Sequence, residues 1–447
     1  MPKLPHSFTS RAKALTLAGL LSLAPPASTR AATLQFIHDF KGGTDGANPT
    51  YGLVIGPQGA VFGTTAATIF RLVQAKNGKW LEKPIFAPGM ASLIGTPTAL
   101  YGLTQAGFTM LTPPSKGGKA WTQTTLYSFP TGNGAAVPST LAIAPDGSFA
   151  GTSPEGGGAT ACGSNNGVPT GCGTLFSLTE SNGTWSETIL HAFQGGKDGA
   201  LPLAAPTFDS AGNIFVSTLQ GGATSGAPSC SGLGAISYFV MLDLVFGTLA
   251  DLSCAQSLLA YPNSQAHPIP SSPESASLRD GKPQPRTILP DSAVIVTTLG
   301  GGHSTGCPDL DDNGCGAIAL YTQPANGRTP WKLEILHRFS GPDGAGPSGA
   351  LTALGTDTLY GIAGTYGGKC TNVGYGFGGC GTIYQLVQGA NGWAWGGLLY
   401  KFPGGARGTN PVPNLLSYNG MLLGVTTYGG SSACGNPGCG TIFALTP

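Results

Sequence analysis

An all-β fold, specifically a seven-bladed β-propeller of four-stranded blades, is predicted by three features of this sequence. The first is a unit that ends in a hydroxyl-rich strand and a Gly-Gly pair and continues as Gly-[Thr/Ala]-[Ile/Leu]. Its clearest copies are Val425-Thr426-Thr427-Tyr428-Gly429-Gly430 with Gly440-Thr441-Ile442-Phe443, and Gly364-Thr365-Tyr366-Gly367-Gly368 with Gly381-Thr382-Ile383-Tyr384. The second is a pair of independent anchors that each recur seven times, and the third is that the two ends carry complementary parts of one unit. A period of several tens of residues marks stacked supersecondary units rather than one irregular globule.

Each unit reads in a fixed order. An apolar strand ends in Leu/Ile-[His/Tyr]-x-Phe, and a turn with Gly-Gly and Asp-Gly follows. Next come an Ala/Pro/Leu strand, an Asp-Gly or Gly-Asn turn, the Gly-Thr-Thr strand, a cysteine loop, Gly-Thr-Ile-Phe-x-Leu and an Asn-Gly-x-Trp turn. That makes four short strands, each bounded by strong turn formers. The Phe anchor falls at Phe40, Phe86, Phe129, Phe193, Phe339 and Phe402, and in weaker form at Tyr261. The strand after the cysteine loop falls at Thr68 to Leu72, Phe108 to Leu111, Gly173 to Leu178, Gly234 to Tyr238, Gly316 to Leu320, Gly381 to Leu386 and Gly440 to Leu445. Leu34 to Phe40 is a fourth strand without its blade and Gly440 to Leu445 a third strand without its fourth, so the N-terminal strand is expected to close the last blade and remove two open edges. An open solenoid or a sandwich array does not predict complementary ends.

The N-terminus has the order of an export signal. Lys3, Arg11 and Lys13 precede an apolar run from Ala14 to Ala24, too short to span a bilayer, and Thr29-Arg30-Ala31 supplies small residues for cleavage. Residues 1–32 therefore read as a signal peptide and 33–447 as a single repeat domain, secreted or held in the cell envelope, with no membrane span once the signal is removed. Only 9% of residues are Asp, Glu, Lys or Arg, the net charge is +1 and no basic run occurs, which leaves no electrostatic footprint for nucleic acid or an anionic membrane. The 73 glycines punctuate apolar segments as turns.

Ten cysteines fall as local pairs at one place in successive repeats: Cys162/Cys172, Cys230/Cys254, Cys307/Cys315, Cys370/Cys380 and Cys434/Cys439. Bridges closing loops in an oxidising compartment fit this register. Zinc is the competing reading, but no Cys-x-x-Cys occurs and no histidine sits at ligand spacing. The pairing of Cys230 with Cys254 is the least regular.

These residues resemble the GloVer-type tandem-repeat family of exported bacterial proteins, whose repeat runs Leu-x-x-Phe, Gly-x-Asp-Gly, a Pro and Leu strand, Leu-Tyr-Gly-Thr-Thr and Gly-Thr-x-Phe-x-Leu. The pattern is closest at Leu336 to Leu386 and Leu399 to Leu445 and good at Leu126 to Leu178. The resemblance implies a secreted repeat protein and supplies no catalytic residue. Some relatives end in a surface-anchoring segment, which is not expected here because the sequence stops at Pro447 directly after a strand. The stretch 239–290 departs from the pattern, with Leu233 where a loop cysteine is expected and Asp280 to Pro285 reading as an exposed loop.

Few residues offer chemistry beyond the repeat. His38, His191 and His337 share one position, filled elsewhere by Tyr127 and Tyr400, on the same strand face as the anchor Phe, which assigns them to a blade interface rather than to catalysis. Asp45-Gly46, Asp198-Gly199 and Asp343-Gly344 are turn devices. Asp309, Asp311 and Asn313, followed by Gly314, match the opening of a calcium loop, but Leu320 stands where the bidentate Glu belongs, and a solvated acidic turn is the default. No other cofactor is expected. Trp80, Trp185 and Trp393 follow hairpin turns and read as packing residues, with sugar stacking as the alternative.

Strands alternate direction within a blade, so the cysteine loops and the Gly-Gly-x-Asp-Gly loops emerge on one face. That face, with Asp343, Gly344 and Tyr375, is the candidate binding surface. The function expected is that of a monomeric, non-enzymatic binding or scaffold module for extracellular glycans or cell-surface components. The alternative is a hydrolase or lyase acting on an extracellular polysaccharide.

Overall fold

A computed structural model describes residues 32–447 except 117, 119, 131–137, 163, 166–167, 209–211, 219, 221–234, 241–244, 252–265, 270–292, 299–305, 308–313, 323–331, 369–379 and 391. The expected signal peptide, save its last residue, therefore lies outside the described residues, as do Asp280 to Pro285.

The chain folds as successive antiparallel meanders. The first sheet holds Val54–Ile55, Val61–Thr64, Ile69–Gln74 and Trp80–Phe86, and the second Ala91–Gly95, Leu100–Thr104, Gly107–Thr112 and Thr122–Tyr127. Thr140–Ile143, Phe149–Ser153, Thr174–Ser181 and Thr184–Ala192 form the third. Thr207–Phe208, Ile214–Ser217, Ala235–Val240 and Val245–Asp251 form the fourth, and Ala266–Ile269, Ala293–Thr298, Ala317–Thr322 and Lys332–Arg338 the next. Ala345–Ala353, Thr358–Thr365, Thr382–Gly389 and Gly392–Lys401 follow. In the last sheet, Thr409–Pro411 and Leu416–Tyr418 both pair with Met421–Tyr428, which pairs with Thr441–Thr446. The fifth and outermost strand is Thr33–Asp39, antiparallel to Thr441–Thr446 from Thr33↔Thr446 to Asp39↔Thr441, so the N-terminal strand does complete this sheet.

Neighbouring sheets pack on one another in chain order, and Trp80–Phe86 of the first lies against Thr33–Asp39 of the last. Phe40, Leu53, Phe70, Val425 and Ile442 form one core across that joint. Four-stranded sheets packed face to face, with the last returning to the first, make an all-β propeller.

The recurrent residues explain how the sheets are joined. Four of the anchor Phe residues follow the outermost strand of one sheet and meet the third-strand aromatic of the next at an edge. The ring centroids are 5.3 Å apart for Phe40 and Phe70, 5.5 Å for Phe129 and Phe176, 5.4 Å for Phe339 and Tyr384, and 5.3 Å for Phe402 and Phe443. Such edge-to-face pairs add about 0.5–1.5 kcal/mol to the burial of their area. Opposite each of these third-strand aromatics, on the second strand, stands a glycine: Gly63↔Phe70, Gly151↔Phe176, Gly361↔Tyr384 and Gly424↔Phe443. A Cβ on Gly424 would stand only 2.3 Å from Cζ of Phe443, so the glycine makes room for the ring.

The fourth sheet's last strand ends at Asp251, in register with Ala235, and the weaker anchor Tyr261 lies outside the described residues. Trp80 packs on Tyr418 of the last sheet (6.0 Å), and Trp185 packs on Phe108 of the second (5.1 Å), in keeping with a packing role.

Candidate functional site

Antiparallel meanders place the second-to-third-strand loops and the sheet-to-sheet loops on the same side, and the geometry shows them in contact. A Cβ added to Gly42 would lie 3.2 Å from Sγ of Cys434, one on Gly195 3.1 Å from Sγ of Cys162, and one on Gly341 3.5 Å from Sγ of Cys307. Disulfides clamp this face: Cys162–Cys172, Cys307–Cys315 and Cys434–Cys439 have Cα atoms 5.0, 5.4 and 5.2 Å apart. Cys380 is also disulfide-bonded, and among the described residues no cysteine is free. Cys370, Cys230, Cys254 and Tyr375 lie outside the described residues, as do Asp309, Asp311 and Asn313 of the calcium reading.

On the same face the repeated histidines and the repeated turn aspartates prove to be partners. His38 Nε2 lies 3.3 Å from Asp45 Oδ2, His191 Nε2 lies 2.9 Å from Asp198 Oδ2, and His337 Nε2 lies 2.8 Å from Asp343 Oδ2. Each carboxylate also accepts a backbone N–H from the start of its loop: Lys41 at 2.7 Å, Gln194 at 2.7 Å and Ser340 at 2.8 Å. The imidazoles stand edge-on to their anchor rings, at 5.0 Å for Phe40, 4.8 Å for Phe193 and 4.9 Å for Phe339. Asp343 is thus engaged inside the protein. Gly344 (φ +110°) closes over Thr382, whose Oγ1 would stand 2.5 Å from an added Cβ. The sequence carried the signal for this pairing: Asp follows His by six or seven positions in three repeats, whereas Arg407 holds the loop position after Tyr400.

What faces His337, Tyr127 and His38 from the next sheet's fourth strand differs. His337 is covered by Trp395, stacked at 3.5 Å and 7°. Tyr127 donates its hydroxyl to Glu187 Oε2 at 3.2 Å. His38 faces Glu82, whose Oε2 is 3.9 Å from Nε2 and whose side chain is only 2% exposed. Burial, reinforced by the nearby Asp45 carboxylate, pushes the Glu82 carboxyl up to about 8. His38, Asp45 and Glu82 present one nitrogen and two carboxylate oxygens within 4.8 Å of one another. Sequence reasoning missed this group, although Glu82 stands two residues after the repeated Trp80 just as Glu187 follows Trp185, because the partnership crosses from one sheet to the next. A cleft lined by Gly43, Thr44, Thr68, Pro84 and Phe86 opens beside it, also on the loop face. A second cleft, lined by Asp146, Phe149, Ser177, Phe208 and Gly212, lies between the third and fourth sheets.

No family model matches the chain and no curated protein matches it. Among solved structures, virginiamycin B lyase from Staphylococcus aureus aligns at 12% identity and a TM-score of 0.49, covering 93% of this chain and 99% of that one. A PQQ-bound aldose sugar dehydrogenase from Streptomyces coelicolor aligns at 13% identity and 0.37, covering 95% and 99%. A family AA12 carbohydrate-active enzyme from Trichoderma reesei aligns at 12% and 0.42, covering 93% and 96%. At these values no activity passes from them to this chain. Among the described residues no helix is long and apolar enough to cross a membrane.

Proposed function

We propose that this chain is an exported propeller of the GloVer type, closed as one ring of seven blades, whose loop face binds an extracellular glycan or cell-surface component as a monomer and without catalysis. One observation carries the reading: disulfide-tied loops gather on one side of a rigid ring, held down by His–Asp pairs and aromatic anchors. Loops positioned by a rigid scaffold are where recognition usually resides. The neutral, charge-poor composition suits uncharged partners.

A second reading, a hydrolase or lyase acting on an extracellular polysaccharide, has one specific observation in its favour. Asp45 and Glu82 are neighbouring carboxyls, one of which holds its proton to about pH 8, and a protonated acid beside an ionised carboxylate is the arrangement acid–base catalysis uses. The structures aligned above include a lyase and a sugar dehydrogenase, as named for those proteins.

A glycan array combined with a panel of polysaccharide digests separates the two. Saturable binding without product, weakened more by Tyr375→Ala than by Asn182→Ala in the distant hairpin turn, supports the binding module. Product release that disappears in Glu82→Gln supports the enzyme. Binding weakened only by the Asn182 change, in folded protein, removes the loop face from consideration.

A further inference from the structure

We propose that His38, Asp45 and Glu82 form a binding site for a divalent transition-metal ion of the zinc class, placed where the N-terminal strand packs against the first sheet. The His–Asp pair recurs around the ring, but among the described residues only this copy adds a third ligand-bearing side chain. At the equivalent place Trp395 covers His337, and Glu187 faces a tyrosine instead of a histidine.

The donor atoms are spaced as a metal requires. Bonds of roughly 2.1 Å at tetrahedral angles put ligand atoms about 3.4 Å apart. Nε2 of His38 lies 3.3 Å from Asp45 Oδ2 and 3.9 Å from Glu82 Oε2. The second observation is independent of that spacing. The Glu82 side chain is almost wholly buried, and its Oε1 has no hydrogen-bond partner. An oxygen taken out of water without a partner carries a desolvation cost that a cation removes.

The chemistry of the set selects the ion. One imidazole with two carboxylates suits zinc and its first-row neighbours, whereas calcium and magnesium prefer all-oxygen shells. The Lys41 N–H that donates to Asp45 Oδ2 at 2.7 Å orients one ligand from behind. His38 and Asp45, at 20% and 24% exposure, leave an entry path and an open coordination position for water. A bound ion would tie together the N-terminal strand, the loop after it and the fourth strand of the first sheet. The inference stands apart from what the loop face recognises, because its readout is metal binding alone.

The test uses the full oxidised chain stripped with a chelator and titrated with Co²⁺, followed by visible absorption, with Zn²⁺ as competitor and thermal unfolding in parallel. The expected result is one saturable equivalent of Co²⁺ displaced by Zn²⁺, and a melting temperature that rises with Zn²⁺ concentration. Glu82→Gln should weaken binding by more than the roughly 10–100-fold that outer-shell changes cost, and Glu187→Gln should leave it unchanged. Asp45→Asn serves as the second ligand variant should Glu82→Gln fail to fold, as judged by circular dichroism. Absence of a cobalt band together with a zinc-independent melting temperature overturns the proposal. So does binding undiminished in a folded ligand variant, which places the metal elsewhere.

Discussion

Asp343 shows how one side chain can serve turn, strand and interface together. Burial by itself would raise its carboxyl. Hydrogen bonds from His337 and from the N–H and Oγ of Ser340 outweigh that and hold it below the ordinary value of 3.8. A folded-state value depressed in this way means that the native state binds fewer protons than the unfolded chain. The resulting stability is complete above pH 3.8 and is lost as pH falls through the depressed value. Asp343→Asn should therefore cost about 1–2 kcal/mol at pH 6, the range for hydrogen bonds to a charged group less partial screening. The gap to the wild type should narrow toward pH 3, as read by urea unfolding at both values. A gap that does not change with pH would assign the loss to packing. At this scale the sequence showed half of the arrangement. His and Asp each stood out as a repeated position, but their partnership depends on a strand end and a loop folding back together, and Glu82 became visible only when the next sheet packed against them.

At the scale of the element, the repeat was readable because each of its letters answers a steric demand. The Tyr-Gly-Thr-Thr pattern keeps a glycine where the neighbouring strand presents an aromatic, and the anchor Phe of the preceding sheet then meets that same ring. Gly424→Ala would drive Cβ into Phe443 at 2.3 Å and displace Phe402 with it. Overpacking of this kind costs about 1–3 kcal/mol. Gly364→Ala is the matched control, since the nearest atom to its added Cβ is 3.7 Å away, and it should be neutral or slightly stabilising. Chemical denaturation of the two variants checks the pair, and equal losses would show that backbone freedom, not the ring, sets the requirement. Where the pattern lapses so does its legibility: the strand ending at Asp251 lacks the usual Leu/Ile-[His/Tyr]-x-Phe.

Across the whole molecule, the sheet completed by both ends decides whether the propeller holds. Thr441–Thr446 has Met421–Tyr428 on one side and Thr33–Asp39 on the other, so removing residues 33–39 exposes a long apolar edge and opens the core built on Phe40, Phe70 and Ile442. The deletion should yield a chain that aggregates or melts far below the parent. The same geometry makes the opposite operation tolerable. Thr33 pairs directly with Thr446, so a short linker can join 447 to 33 while new ends are cut at the exposed Asn182-Gly183 turn, where a hairpin connection contributes little to the core. This permutant keeps every sheet intact and should melt within a few degrees of the parent, since it changes connectivity without changing contacts. Circular dichroism melting of both proteins provides the comparison. A stable deletion mutant, or a permutant that does not fold, would show that closure by the N-terminal strand is not what holds the ring together.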